Sequence, residues 1–347
     1  MKRVGHLYEK ICGLENIKLA IMKASLGKRK QSAVRRILNQ QDLYAARVRE
    51  MLITKSYVPS PYSVMTVKDG PAQKERTISK PKFYPDQVIH WSLMLQLQPA
   101  IMRGMYEYTC GSVPGRGTSY GQKALRRWLD GDYKGTKYCL KLDVSKFYPS
   151  VDLALLKGMF RRVIKDQDCL WLIDAILDSS EPGLPIGNYT SQWFSNFFLQ
   201  GLDHYIKETL RIRYYVRYVD DLVLLGGNKK TLHKARIAID AYLRSIHLTT
   251  KQDWQVFKVD CRAIDFLGLR FYRDRTTLRR RNALRIRRRL VKIAHKGRLS
   301  YRDACAVVSY WGWIKRSDSY RFYHKYVKPF VSLADAKRTI STHARRA

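Results

Sequence analysis

Acidic residues are in short supply. The 347-residue chain has 29 Asp and Glu against 66 Lys and Arg, a formal net charge of +37. A folded chain this basic repels itself unless it meets a polyanion, so nucleic acid is the expected partner and a membrane surface a weaker second. Long apolar runs are missing as well. No uninterrupted stretch reaches the roughly 18–20 residues that cross a bilayer. The richest, 91–102, is broken by Gln96 and Gln98. The basic N-terminus leads into no apolar segment, so no signal peptide is read. Paired cysteines are lacking too. Cys12, Cys110, Cys139, Cys169, Cys261 and Cys305 form no C-x-x-C pair, and no His stands at zinc-finger spacing. A disulfide framework and structural zinc are therefore disfavoured. Reduced core cysteines in a cytoplasmic protein are expected instead. Internal repeats and low-complexity linkers are absent. Wholesale disorder is excluded, because 45% hydrophobic and 12% aromatic residues suffice for a core.

What is present falls into blocks. Residues 1–53 have a helical pattern, with Leu7, Ile11, Leu14, Ile17 and Ile21 near three-to-four spacing. Lys28, Arg29, Lys30, Arg35, Arg36, Arg47 and Arg49 fill polar positions, either as a solvated face or as a surface for phosphates. Pro59, Pro61, Gly70 and Pro71 punctuate a loop-and-strand region. Residues 137–144 alternate, with Tyr138, Leu140 and Leu142 facing one way and Cys139, Lys141 and Asp143 the other. Residues 213–219 are rich in β-formers and run into Asp220 and Asp221, then into apolar residues 222–225. A hairpin with an acidic turn is the natural reading. Segments 152–178, 191–210 and 229–246 look helical. Strands interleaved with helices indicate a sheet covered by helices, α/β or α+β.

The C-terminal part differs. Between Arg275 and Arg302 there are twelve Lys and Arg and no acid. Tyr310, Trp311, Trp313, Tyr320, Phe322, Tyr323 and Tyr326 follow. A basic helix with an aromatic cluster suits a nucleic-acid strand, although the rings could equally pack a small helical core.

Three carboxylates carry the chemical argument. Asp143, Asp220 and Asp221 each sit among apolar strand residues. Desolvation and mutual repulsion oppose ionised carboxylates in such places unless a cation compensates. An exposed hairpin tip is the plain alternative for the Asp–Asp pair. Three carboxylates on adjacent strands could hold two Mg²⁺ ions, which activate a 3′-hydroxyl and neutralise a pyrophosphate leaving group. Neighbouring residues of an extended chain face opposite ways, so Asp143 and Asp220 are the expected main ligands and Asp221 a more peripheral one.

At this point the sequence resembles a known family. Tyr218, Val219, Asp220 and Asp221 look like the Y-x-D-D box of reverse transcriptases. Four further blocks follow the family's order: 74–78, 111–117, 141–148 and 265–271. The turn Ile186, Gly187, Asn188, Tyr189, Thr190, Ser191, Gln192 departs from the usual Q-G-x-x-x-S-P. It is similar to the reverse transcriptases of diversity-generating retroelements, as are 309–313 and 318–321. The resemblance implies an α+β right-hand polymerase, with a basic helical extension over 1–55, fingers and palm over 56–272 and a helical basic thumb over 273–347. It implies RNA-directed DNA synthesis with two Mg²⁺ ions, from a template-repeat RNA, a DNA primer and dNTPs. It further implies error at adenines, mutagenic retrohoming and a small basic accessory variability protein. No room is left after the thumb for a ribonuclease H domain, and no endonuclease segment is recognisable.

Roles follow by the same resemblance. Asp143, Val144, Asp220 and Asp221 would surround the metals. Lys74 and Arg76 would neutralise the triphosphate, Tyr148 would gate against a ribose 2′-hydroxyl, and Ile186, Gly187, Gln192 and Lys251 would line the dNTP site. Leu267 and Gly268 would grip the primer. Arg279, Arg280, Arg281, Arg285, Arg287, Arg288, Arg289 and Lys292 would bind nucleic acid. Ile186 cannot hydrogen-bond as glutamine does, which would loosen nucleotide selection. The alternatives are another bacterial reverse transcriptase, of group II intron or abortive-infection type, and a non-catalytic RNA-binding splicing factor.

Overall fold

The computed structural model describes residues 3–69, 74–180 and 182–345. The punctuating Gly70 and Pro71 lie outside the described residues. The basic N-terminal stretch forms four helices, Tyr8–Ile11, Leu14–Ser25, Ser32–Asn39 and Gln41–Ile53. Leu7, Ile11, Ile17 and Ile21 turn inward as the spacing anticipates, joined by Val34, Val48 and Leu52, but Leu14 is 39% exposed, because it opens its helix at the end away from the buried stripe. Lys30, Arg35, Arg36, Arg47 and Arg49 stay exposed. The apolar run 91–102 falls in a helix, Val88–Met102, that buries Val88, Ile89, Leu93, Met94 and Leu97. It is a core helix packed on Leu14–Ser25. Among the described residues, no helix is long and apolar enough to cross a membrane.

The strands are β1 Ser63–Asp69, β2 Lys74–Lys80, β3 Thr109–Cys110, β4 Tyr138–Asp143, β5 Tyr214–Tyr218, β6 Asp221–Gly226, β7 Gln255–Lys258, β8 Ile264–Phe266, β9 Leu269–Phe271 and β10 Thr276–Leu278. β1 and β2 form an antiparallel ribbon with Ser63 opposite Lys80. A five-stranded sheet has the order β3-β5-β6-β4-β7, and a three-stranded one β10-β9-β8. β3 runs parallel to β5, β4 antiparallel to β7. Helices interleave with these strands throughout, so the chain is α+β. The alternation in β4 is incomplete. Cys139 is as fully buried as Leu140, so both faces are covered there and burial no longer follows the period of two.

By contacts the chain divides into two units. One holds residues 1–117, 142–222 and 234–254, the other 118–141, 223–233 and 255–347. In the first, the expected helix over 152–178 is two helices, Leu153–Val163 and Gln167–Leu177. The break occurs where Ile164 bridges Val4 and Asp166 caps the second helix. One carboxylate oxygen of Asp166 accepts from the Cys169 N–H, the other from the N–H groups of Leu7 and Tyr8. An aspartate in mid-segment is a start signal for a helix as readily as an interior residue. Segment 191–210 is likewise broken, into Tyr189–Phe198, Gln200–His204 and a wider turn Tyr205–Thr209. Helix Lys229–Ser245 matches its expected span. In the second unit, helix Arg280–His295 buries Asn282, Ile286, Leu290 and Ile293, one stripe at three-to-four spacing under a basic surface. No disulfide joins the six cysteines; Cys12, Cys110, Cys139 and Cys169 are buried and Cys261 is exposed.

Candidate active site

β4 ends at Asp143, and the next residue ties that end to the acidic turn. The Val144 N–H donates to the Asp220 carbonyl at 3.1 Å. On its other side, the Lys251 N–H donates to the Asp143 carbonyl at 2.8 Å. Two carboxylates far apart in sequence thus stand together. Burial, and then the negative charge of Asp143, raise the carboxyl pKa of Asp220 above its usual range. The Lys251 ammonium lies 2.5 Å from Asp143 Oδ1. Asp221 opens β6 and is half-buried. Among the described residues, no group of three or more His, Cys, Asp or Glu is gathered as a ready-made metal site. The donor set nevertheless suits a hard divalent ion. Its atoms are carboxylate oxygens, its net charge disfavours ionisation of Asp220, and it already draws in an ammonium group.

The turn between the strands is strained and heavily braced. Val219 has φ +58°, a left-handed conformation that costs a β-branched residue about 1–3 kcal/mol. Behind it, Gly111 has φ +94°. A Cβ there would stand 3.0 Å from Val219 Cγ2 and 3.2 Å from the Tyr218 ring. Only glycine allows so close an approach without displacement. The Val219 N–H donates to the Cys110 carbonyl at 3.3 Å. Its own carbonyl accepts from Arg217 Nη1 at 2.9 Å.

Arg217 is wholly buried, as is Asp203. The guanidinium forks onto that carboxylate, Nε to Oδ1 at 2.8 Å and Nη2 to Oδ2 at 2.6 Å. The Tyr215 hydroxyl donates to Oδ1 and the Thr109 hydroxyl to Oδ2. Asn196 accepts from Arg217 Nη1 at 3.1 Å and donates to the Gly111 carbonyl at 2.9 Å. Burial pulls the Arg217 pKa down, but the Asp203 carboxylate more than offsets it, and the net shift is upward.

The expected nucleotide-side residues all fall within the first unit. Gly187 has φ +137°, and a Cβ would sit 2.3 Å from the Ser79 carbonyl oxygen. The Ser79 N–H donates to the Ile186 carbonyl at 2.8 Å. The close approach that needs this glycine is therefore to β2. Ile186 is half-buried and Gln192 is exposed on helix Tyr189–Phe198. Asn188 donates to the Tyr62 hydroxyl and secures the loop from its other side. Tyr148 is half-buried, and burial raises its phenol pKa. Arg76 is exposed on β2 opposite Val67. Lys74 opens β2, and its side chain lies outside the described residues.

In the second unit, Leu267 and Gly268 form the tight turn between β8 and β9, with φ +49° and +85°. Two carboxamides hold it. Gln122 Nε2 donates to the Leu267 carbonyl at 2.9 Å, and Asn282 Nδ2 to the Gly268 carbonyl at 3.1 Å. Of the basic residues expected to meet nucleic acid, Arg280, Arg281, Arg285, Arg287, Arg288 and Lys292 are exposed. Arg285 lies over the Trp313 ring and Arg287 over Tyr326. Arg279 and Arg289 have internal partners instead, Asp265 and the buried Asp303. The tail aromatics are half-exposed for the most part; helix Tyr320–Tyr326 buries none of its residues.

Sequence reasoning missed Asp203, Asn196, Arg217, Gln122 and Asn282. Arg217 did leave a signal, as a lone charge inside a strand of otherwise apolar and aromatic residues, which demands a partner. Nothing in the spacing says which acid answers it.

Comparison with known proteins adds the following. A family model described as "Reverse transcriptase (RNA-dependent DNA polymerase)" matches residues 68–271. Over 123 residues the chain is 28% identical to the retron Ec73 reverse transcriptase of Escherichia coli, covering 32% of this chain and 38% of that one. Over 130 residues it is 25% identical to the mitochondrial nuclear intron maturase 1 of Arabidopsis thaliana, covering 36% and 18%. The chain thus spans less than half the length of these curated relatives. Apo telomerase from Candida tropicalis matches at TM-score 0.47 and 14% identity, over 66% of this chain and 52% of that one. Telomerase from Candida albicans with a fragment of telomeric RNA matches at 0.47 and 13%, over 67% and 49%.

Proposed function

This chain belongs to the reverse transcriptase family, and from that premise we propose that it is an RNA-directed DNA polymerase. The observation that carries the reading is the meeting of Asp143 with the Asp220 turn. Asp143, Asp220 and Asp221, with the Val144 carbonyl, would hold two Mg²⁺ ions. Bound there, magnesium would supply charge neutralisation and a more acidic primer 3′-hydroxyl. The chain's own groups do the remaining work. Lys251 adds positive charge beside Asp143. Lys74 and Arg76 neutralise triphosphate oxygens, the arginine by a forked contact. Tyr148 occupies the space a ribose 2′-hydroxyl would need. The loop of Ile186 and Gly187, backed by β2, shapes the floor beneath the nucleotide, with Gln192 near it. Leu267 and Gly268 present backbone to the primer. The exposed basic face of Arg280–His295 neutralises template and primer phosphates.

Primer extension on an RNA template tests this. Asp220→Ala and Asp221→Ala should each cut synthesis at least about a thousandfold, some 4 kcal/mol of transition-state stabilisation. Undiminished synthesis by either variant would sink the assignment. A wild-type chain that synthesises nothing would instead favour the non-catalytic RNA-binding reading.

The finer reading is a diversity-generating retroelement enzyme that copies a template-repeat RNA with error at adenines, for mutagenic retrohoming with a basic accessory protein in the cytoplasm. The block from Ile186 to Gln192 supports it, as do the motifs at 309–313 and 318–321. A retron or intron type is the second reading, favoured by the retron and maturase similarities. Adenine-only differences between two near-identical repeats in the flanking DNA would support the first, and their absence the second. Ile186→Gln should lower misincorporation opposite adenine; an unchanged error spectrum removes Ile186 from the explanation.

A further inference from the structure

Resting on the polymerase reading, we propose that the buried Arg217–Asp203 pair is a positioning device that holds the strained Val219 turn, and through it Asp220, in the conformation that receives metal. The argument starts from the cost of the turn. Val219 is β-branched and left-handed, so the free turn would relax to ordinary backbone and carry Asp220 away from Asp143. Val219 itself donates only a long backbone bond, 3.3 Å to the Cys110 carbonyl, and the Val144 bond of 3.1 Å reaches the next residue, Asp220. The strong hold is the charge-assisted bond from Arg217 to the Val219 carbonyl.

An arginine can provide that hold only if it is itself immobile. Both oxygens of Asp203 fix it, and those oxygens are fixed in turn by Tyr215 and Thr109. Asn196 joins the same guanidinium to the Gly111 carbonyl, tying down the glycine against which Val219 packs. Every donor and acceptor in this web points either at the turn or at a group that supports it. Burial keeps the web out of reach of solvent screening. Its residues touch neither nucleotide nor metal in this reading; they act through Val219.

The test separates positioning from simple stability by removing the strain itself. Asp203→Asn with Arg217→Gln deletes both charges together, which avoids a lone buried charge. Adding Val219→Gly supplies a residue to which left-handed backbone costs nothing. Three readouts are taken: primer-extension kinetics with dNTP titration, hydrogen exchange of residues 214–224 in the metal-free protein, and direct titration with Mn²⁺, whose affinity the neutral pair should weaken. The neutral pair should lower kcat about tenfold, as a small misplacement of reacting groups does, with dNTP KM within about twofold. Exchange at the turn should quicken by a similar factor. Val219→Gly in that background should recover most of kcat and most of the lost Mn²⁺ affinity in a direct titration. A purely structural role would yield no rescue by glycine. Unchanged turn exchange, or a loss that glycine does not restore, overturns the inference. Should the neutral pair fail to fold, Asn196→Ala carries the same test, with a loss of about threefold expected and the same rescue. A wild-type chain that extends no primer would instead refute the polymerase reading. The exchange and Mn²⁺ measurements would still decide the positioning claim.

Discussion

Val219 and Leu267 are the two apolar side chains among the described residues with left-handed backbone, and they are held by different chemistry. The Val219 carbonyl takes a hydrogen bond from a guanidinium that is fully buried and paired with a carboxylate. The Leu267 carbonyl takes one from a neutral carboxamide, and its neighbour Gly268 another. The two designs fail differently. A buried ion pair is rigid, but loss of one member strands the other charge in a poor solvent. A neutral amide clamp loses one ordinary hydrogen bond at a time. Rigidity suits a turn proposed to set carboxylate positions. A softer clamp suits a turn proposed to press on a primer backbone that advances with each addition.

The largest effect should come from breaking the charged side of the comparison. Arg217→Gln alone leaves the Asp203 carboxylate buried with two hydroxyl donors, and should cost about 3–5 kcal/mol in a denaturant melt. A loss below about 1 kcal/mol would mean that the web is slack and the contrast empty. Asn282→Ala and Gln122→Ala should each cost about 1–2 kcal/mol, because each leaves a turn carbonyl without its side-chain donor. Values matching Arg217→Gln would erase the distinction between the two clamps. Val219→Gly and Leu267→Gly should each stay within about 1 kcal/mol of wild type, since relief of strain and added unfolded-chain entropy oppose one another.

The smallest effect concerns the short helix that carries Asp203. Its neighbour His204 hydrogen-bonds to Glu208 and to the Gly104 carbonyl. The bond to Glu208 raises the His204 pKa, against some desolvation. A raised pKa means the folded protein holds the proton more tightly than the unfolded chain. The contribution is therefore full below the usual imidazole value of about 6.5, and it is lost as pH rises through the folded-state value. The pair is largely exposed, so His204→Gln should cost only about 0.3–0.5 kcal/mol at pH 5.5 and almost nothing at pH 9. A pH-independent difference would show that the ring acts by packing.

Much of this was legible in the chain. The hairpin around Asp220 is bounded by β-formers on one side and an apolar run on the other, and the structure places strands there. The helix over 229–246 was legible for the same reason, an uninterrupted period. The breaks at 164–166 and 199–205 were not, because an aspartate can cap a helix or sit on its surface, and only the bridge from Val4 to Ile164 selects the first. Gly187 was expected to line the dNTP site. In the structure the group that a side chain there would meet is the Ser79 carbonyl, which sequence spacing could not reveal. Arg279 and Arg289 read like their exposed neighbours, yet each faces an acid of its own unit.

Composition and periodicity alone recorded the large excess of positive charge, the alternation of strands with helices, most of the apolar stripe of the N-terminal helices and the position of an acidic turn between two strands. Those are properties of neighbouring residues, and neighbouring residues are what a linear pattern records. That Asp143 meets Asp220, that Asp203 answers Arg217, and that carboxamides at 122 and 282 close over one turn were decided only by the tertiary fold. Such pairings depend on which distant segments pack together, and the free energy of burying a charge or a carbonyl selects its partner from the groups that packing brings within reach.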